Sequence, residues 1–180
     1  QILNRLELVG ADLNAYTTKE YTCIHASFLN PHLDRTLDLF EDLVFHSVFP
    51  EDEMAKETEI ILDEIASYQD QPDEAINDDF DDLIFDGHAL GRNILGTPES
   101  VQTFKQHDIF DFIQSNYHSD EIIVGISGHY DFKKIIHKVD HFFGKIARNT
   151  PAHHRENLNH YTAKKKHLKK INKLFFGQVH

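Results

Sequence analysis

The sequence has no tryptophan, a single cysteine (Cys23) and a single methionine (Met54). One cysteine excludes an internal disulfide and any zinc site built on several thiolates. No apolar run approaches ~18 residues, so no segment reads as a membrane-spanning helix. The first residues do not have the pattern of a secretion signal. The chain opens at Gln1 inside a helix-like pattern (Ile2, Leu3, Leu6, Val9), as expected of a piece of a longer chain. Gly87, Gly91 and Gly96 do not form a phosphate-cradling loop, and no G-x-S-x-G occurs. Ser127-Gly128 therefore reads as a turn rather than a nucleophile.

What is present is enough for one folded domain. The 180 residues are 40% apolar, with 14 Phe and 6 Tyr, which excludes a disordered chain and allows a real core. The net charge of −12 is unevenly spread. Residues 51–86 hold fifteen Asp and Glu against one basic residue, Lys56, whereas from Lys145 onward there are nine Lys and Arg and one acid, Glu156. The stretch Lys164–Lys173 is basic, but few aromatics interleave it and no nucleic-acid motif accompanies it. It reads as a solvated linker or edge, with no nucleic-acid partner.

Periodicity orders the chain. Residues 1–9 read as the end of a helix closed by Gly10. Strands are expected over 12–17 and 21–29, joined by a hairpin-length link. Asn30-Pro31 opens a helix, with Asn30 as cap and Leu33, Leu37, Phe40 and Val44 inward. Phe49-Pro50 ends it. A helix over 51–71 and a second acidic one over about 74–86 follow. Thr97 caps a short helix, and another runs over about 107–117. A buried strand is expected at 121–127. Asp131 caps a helix with Phe132, Ile135, Val139 and Phe142 inward. Residues 145–170 are polar, and 173–180 read as a final strand. Helices outnumber strands without alternating with them, which gives an α+β fold: an antiparallel-dominated sheet with helices packed on one face.

Within the 51–71 helix, Glu57 and Glu64 stand seven residues apart, nearly two turns, so both project the same way. Met54, Ile61, Ile65 and Tyr68 lie on the same face, and both acids are expected on its buried side. A carboxylate facing a core is costly unless it is paired or binds a metal. Periodicity leaves two readings open: a zinc ligand and its helper, or two acids paired with Lys or Arg elsewhere. His137 and His141 have the i, i+4 spacing of zinc ligands. They fall opposite Phe132, Ile135, Val139 and Phe142, however, and read as a surface pair.

Five stretches, in order over about residues 1–145, resemble the pitrilysin/insulinase-type zinc metallopeptidases, the family that includes mitochondrial processing peptidase. Val9-Gly10-Ala11-Asp12-Leu13-Asn14-Ala15-Tyr16-Thr17-Thr18-Lys19-Glu20-Tyr21-Thr22 resembles the family's G-G-x-x-N-A-x-T-x-x-E-x-T strand region. Glu57-Thr58-Glu59-Ile60-Ile61-Leu62-Asp63-Glu64-Ile65 is similar to its E-x-x-V-I-L-x-E-I helix. His88 to Glu99, Tyr117 to Gly128 and Phe142-Phe143-Gly144 match its loop, its strand and a helix end.

The resemblance implies a single domain over 1–180, truncated at its N-terminus, with 146–180 as linker and final strand. It implies a zinc-dependent endopeptidase in which zinc-activated water cleaves peptide bonds. Glu64 would be a metal ligand and Glu57 a nearby orienting acid. Asn14, Ala15 and Tyr16 would lie on the strand that pairs with extended substrate. The family's H-x-x-E-H helix, which supplies two ligands and the general base, occurs nowhere among the fourteen histidines. The chain alone is thus expected to be inactive and to hold no zinc stably, its substrate being a peptide or unfolded protein and its partner a second homologous domain or subunit. The other expectation is a non-catalytic partner or scaffold subunit of the same family.

Overall fold

The computed structural model describes residues 4–146. The expectations that fall on 147–180, namely the polar stretch, the basic Lys164–Lys173 and the final strand, lie outside the described residues.

A short helix, α1 (Asn4–Glu7), runs into Gly10, whose φ of +72° suits glycine and turns the chain toward the sheet. Strands β1 (Asp12–Thr17) and β2 (Thr22–Ser27) pair antiparallel in the register Leu13↔Ala26, Asn14↔His25, Ala15↔Ile24 and Tyr16↔Cys23. Residues two apart share a face, so Leu13 and Ala26 meet the helices while Asn14, Tyr16, Cys23 and His25 face away. The sheet among the described residues is this antiparallel pair, with α1 and α2 (Leu33–Phe45) on one face. The architecture is the expected α+β.

Two apolar clusters hold it. Leu6, Ala11 and Leu39 form the first, with Leu13, Ala26 and Phe28 against them. Leu33, Leu37 and Ile135 form the second, joined by Phe28, Ile126, Val139 and Phe142. Phe28 belongs to both. The second cluster docks α7 (Phe132–Phe143) on α2. Between them come α3 (Glu51–Gln69), α4 (Pro72–Ile84), α5 (Pro98–Val101) and α6 (Gln106–Asn116). No helix among the described residues is long and apolar enough to cross a membrane.

The caps test the sequence reading. Asp131 Oδ1 accepts from the Lys133 and Lys134 amides, and Thr97 Oγ1 accepts from the Ser100 amide at 3.2 Å, both as expected. Backbone N–H groups at Glu99 itself, and then the Thr97 hydroxyl, hold the Glu99 carboxyl below its usual range. Asn30 does not cap α2: a 3-10 turn, Asn30–His32, intervenes, and the Asn30 side chain donates to the His129 carbonyl at 3.5 Å. Phe132 is exposed at 68% rather than inward, because it is the first residue of its helix and overhangs the α2 contact.

The strand expected over 121–127 is a correction. Ser119–Glu121 is a 3-10 turn, and 122–127 has no ladder partner among the described residues. Ile126 packs into the second cluster, but Ile123 is 95% exposed. Local pattern marks a segment as extended, yet a strand exists only where a neighbour takes its amides.

Candidate functional site

Helix α3 begins after Pro50 with Glu51, Asp52 and Glu53 in its first turn, where acids favour the helix dipole. Its inward line is Met54, Thr58, Ile61, Leu62, Ile65 and Tyr68, with Ile65 only 5% exposed. Glu57 and Glu64 are both exposed, which corrects the expectation that they face the core. At ~100° per residue the two acids sit within about 20° of one another but roughly a quarter turn from Ile65. That offset lets a long side chain reach water from the edge of an apolar stripe. Neither carboxylate has an ion-pair or hydrogen-bond partner among the described residues.

Glu57 lines a cavity of about 880 Å³ together with Met54, Ile61, Phe49, Phe104 and Phe112, and Glu64 is not part of that lining. The cavity wall contains a strained turn. Phe49 has φ +43°, uncommon for a bulky residue. Gln106 Nε2 donates to the Val48 carbonyl at 2.9 Å and the Phe49 carbonyl at 3.0 Å. The Phe49 ring stacks edge-on against Phe110 at 5.7 Å. The sequence marks Phe49-Pro50 only as a helix stop. The Gln106 contact spans 57 positions, and no local signal announces it.

Asn14, Ala15 and Tyr16 fall on β1, all exposed. Strand β2 covers one side of β1, and the other edge has no strand beside it among the described residues. The Ala15 amide is taken by Asn14 Oδ1 at 2.8 Å. Tyr16 stacks on Tyr21 and His25 at 6.1 and 5.9 Å. Hydrogen bonding of the protonated hydroxyl to the Cys23 side chain across the ladder, and then to Tyr21, pushes Tyr16 up to about 12, and the charge that either neighbour would carry adds to this.

The turn between the strands closes on itself: the Thr18 amide donates to the Tyr21 carbonyl at 2.8 Å, and Thr18 Oγ1 accepts from the Tyr21 amide at 3.1 Å. Lys19, at its tip, reaches α4, with Nζ 2.7 Å from Asp81 Oδ2 and 3.7 Å from Asp78 Oδ1. Asp78 also accepts from Asn93 Nδ2 at 2.7 Å. The Lys19–Asp81 contact spans 62 positions, so no local pattern announces it.

His137 and His141 are both exposed, as expected of a surface pair. Among the described residues no group of three or more His, Cys, Asp or Glu could hold a metal ion. A catalytic zinc takes three protein ligands and keeps one open position. The described residues therefore do not by themselves make a zinc site, and Glu57 and Glu64 supply at most part of one.

The sequence model described as Insulinase (Peptidase family M16) matches residues 1–98, more than half of the chain. A protein of Bacillus subtilis (strain 168) named "Uncharacterized zinc protease YmxG" is 31% identical over 164 residues, which are 91% of this chain and 40% of that protein. The chain thus spans well under half the length of this relative. Among solved structures, a putative M16-like peptidase from Alicyclobacillus acidocaldarius superposes with a TM-score of 0.73 at 23% identity, over 83% of this chain and 35% of that one. A peptidase M16 inactive domain from Pseudomonas fluorescens gives 0.75 at 14% identity, over 86% and 38%. These two likenesses concern the fold.

Proposed function

This chain belongs to the insulinase family of peptidases (M16), and from that premise we propose that it is part of a zinc-dependent metalloendopeptidase, to which it contributes one carboxylate metal ligand and a strand edge for the substrate. The observation that carries this reading is the state of Glu57 and Glu64. They share one side of α3, are open to water, and have no Lys or Arg partner among the described residues. Among the described residues, nothing engages them as a structural ion pair would. Glu64 is assigned as the metal ligand and Glu57 as the acid that orients the site from the cavity wall.

The remaining ligands and the general base come from an H-x-x-E-H segment that these 180 residues do not contain. The chain by itself holds no zinc stably and hydrolyses no peptide. The substrate is a peptide or unfolded protein in extended form, laid along β1 at Asn14, Ala15 and Tyr16, where backbone pairing gives affinity without demanding a sequence. An incoming strand takes the Ala15 amide from Asn14 Oδ1. A second homologous domain or subunit completes the cleft.

The alternative reading is a non-catalytic partner or scaffold subunit of the same family, and the described residues do not form a metal site that would separate the two. The two readings part in the complete protein. There Glu64→Gln abolishes zinc retention and peptide hydrolysis with the fold intact by circular dichroism, and Glu57→Gln weakens zinc binding by about 10–100-fold. A complete protein that retains zinc equally well with Glu64→Gln has its ligand elsewhere, and one that binds no zinc at all is the scaffold subunit.

A further inference from the structure

Helix α4 carries Asp73, Asp78, Asp79, Asp81 and Asp82 and no Lys or Arg, and it packs against α3, the helix of Glu57 and Glu64. The β1–β2 turn approaches this acidic surface with Lys19, whose side chain is only 17% exposed. Lys19 Nζ bonds Asp81 directly and lies within ion-pair distance of Asp78, which is itself tied to Asn93. Without the ammonium, Asp78 and Asp81 would face the turn with no cation between them, and the attraction that holds the hairpin tip to α4 would be lost.

We infer that Lys19 is a positioning residue: it fixes the β1 edge relative to the α3–α4 pair and so sets where an extended peptide lies with respect to Glu57 and Glu64. The inference rests on the reading of β1 as the peptide-receiving edge. The turn is rigid through its own Thr18–Tyr21 bonds, so a constraint at Lys19 is passed along the short stretch to Tyr16 rather than absorbed by the loop. Because Lys19 is mostly withdrawn from water, its contacts resist screening far better than exposed pairs such as Lys56–Glu53. Lysine serves here as a compact charge between two carboxylates, and arginine is long enough to span the same pair.

The test uses the full 180-residue chain at a temperature well below its melting, so that every variant is folded. The probe is a fluorescein-labelled extended peptide of alternating valine and threonine, read by polarisation, with amide hydrogen exchange of residues 14–17 measured alongside. Lys19→Met and Asp81→Asn should each weaken probe binding by about tenfold and speed exchange of those amides, while Lys19→Arg keeps both near wild type. Faster exchange with unchanged probe affinity would reduce Lys19 to a structural role and overturn the inference, as would no change in either quantity. If the wild-type chain binds no probe, the edge reading itself fails, and this role for Lys19 falls with it.

Discussion

Replacing Gln106 with alanine isolates the strained turn in the cavity wall. The side chain makes two hydrogen bonds to successive carbonyls, at 2.9 Å from Val48 and 3.0 Å from Phe49. A net hydrogen bond contributes about 0.5–1.5 kcal/mol, and the Val48 contact, being exposed, belongs at the low end. Loss of both therefore costs about 1–2 kcal/mol. Three smaller effects accompany this, two in favour of the variant and one against. Alanine favours the helix by a few tenths of a kcal/mol relative to glutamine. Freeing Phe49 from φ +43° releases strain on the order of 1 kcal/mol but gives up the edge-on contact with Phe110, about 0.5–1.5 kcal/mol. These roughly cancel. The expected outcome is a destabilisation of about 1–2 kcal/mol, read from the urea midpoint with an unchanged slope. Gln106→Glu, which keeps the length but places a carboxylate against two carbonyls, should cost more than alanine. An alanine variant within about 0.3 kcal/mol of wild type would show that the turn holds its conformation without the clamp.

Further outcomes follow from other sites. Leu39 is fully buried against Leu6 and Ala11, so Leu39→Ala should lose about 2–5 kcal/mol in denaturant unfolding. Tyr16 should titrate near 12 rather than 10 by tyrosinate absorbance, and Cys23→Ala should bring it down. Its folded value is above its unfolded one, so the contribution is complete below pH 10 and is lost as pH rises from 10 to 12. His137→Ala should leave stability within about 0.5 kcal/mol of wild type, since the ring is exposed; a larger loss would mean that its neighbours depend on it.

Much of the fold was legible because its signals are local. Asp131 and Thr97 cap helices through amides two or three residues on, and the hairpin over 12–27 declares itself by its link and its alternation. What was not legible depends on neighbours distant in sequence. The 121–127 segment has the composition of a strand, but pairing belongs to two segments, not one. Glu57 and Glu64 were rightly placed on a common side, yet a periodicity of 3.6 does not say how wide the buried stripe is, and a quarter turn decided their exposure. Gln106 on Phe49 and Lys19 on Asp81 join positions 57 and 62 residues apart, and no window along the chain contains either pair.

Phe28 sits in both apolar clusters, and this has a bearing on how the chain can vary. The first cluster closes between Leu6 and Leu39, the second between Leu37 and Ile135, roughly a hundred residues later. Closing so long an intervening stretch costs chain entropy that grows only with the logarithm of its length, about 0.6 kcal/mol for each doubling. The α2–α7 contact is therefore nearly indifferent to how much polypeptide α3 to α6 comprise. Insertions among the helices that bear the cavity and the acids could accumulate over evolutionary time at little cost to the frame, whereas the short span from α1 to Phe28, where one ring completes two clusters, leaves no such latitude.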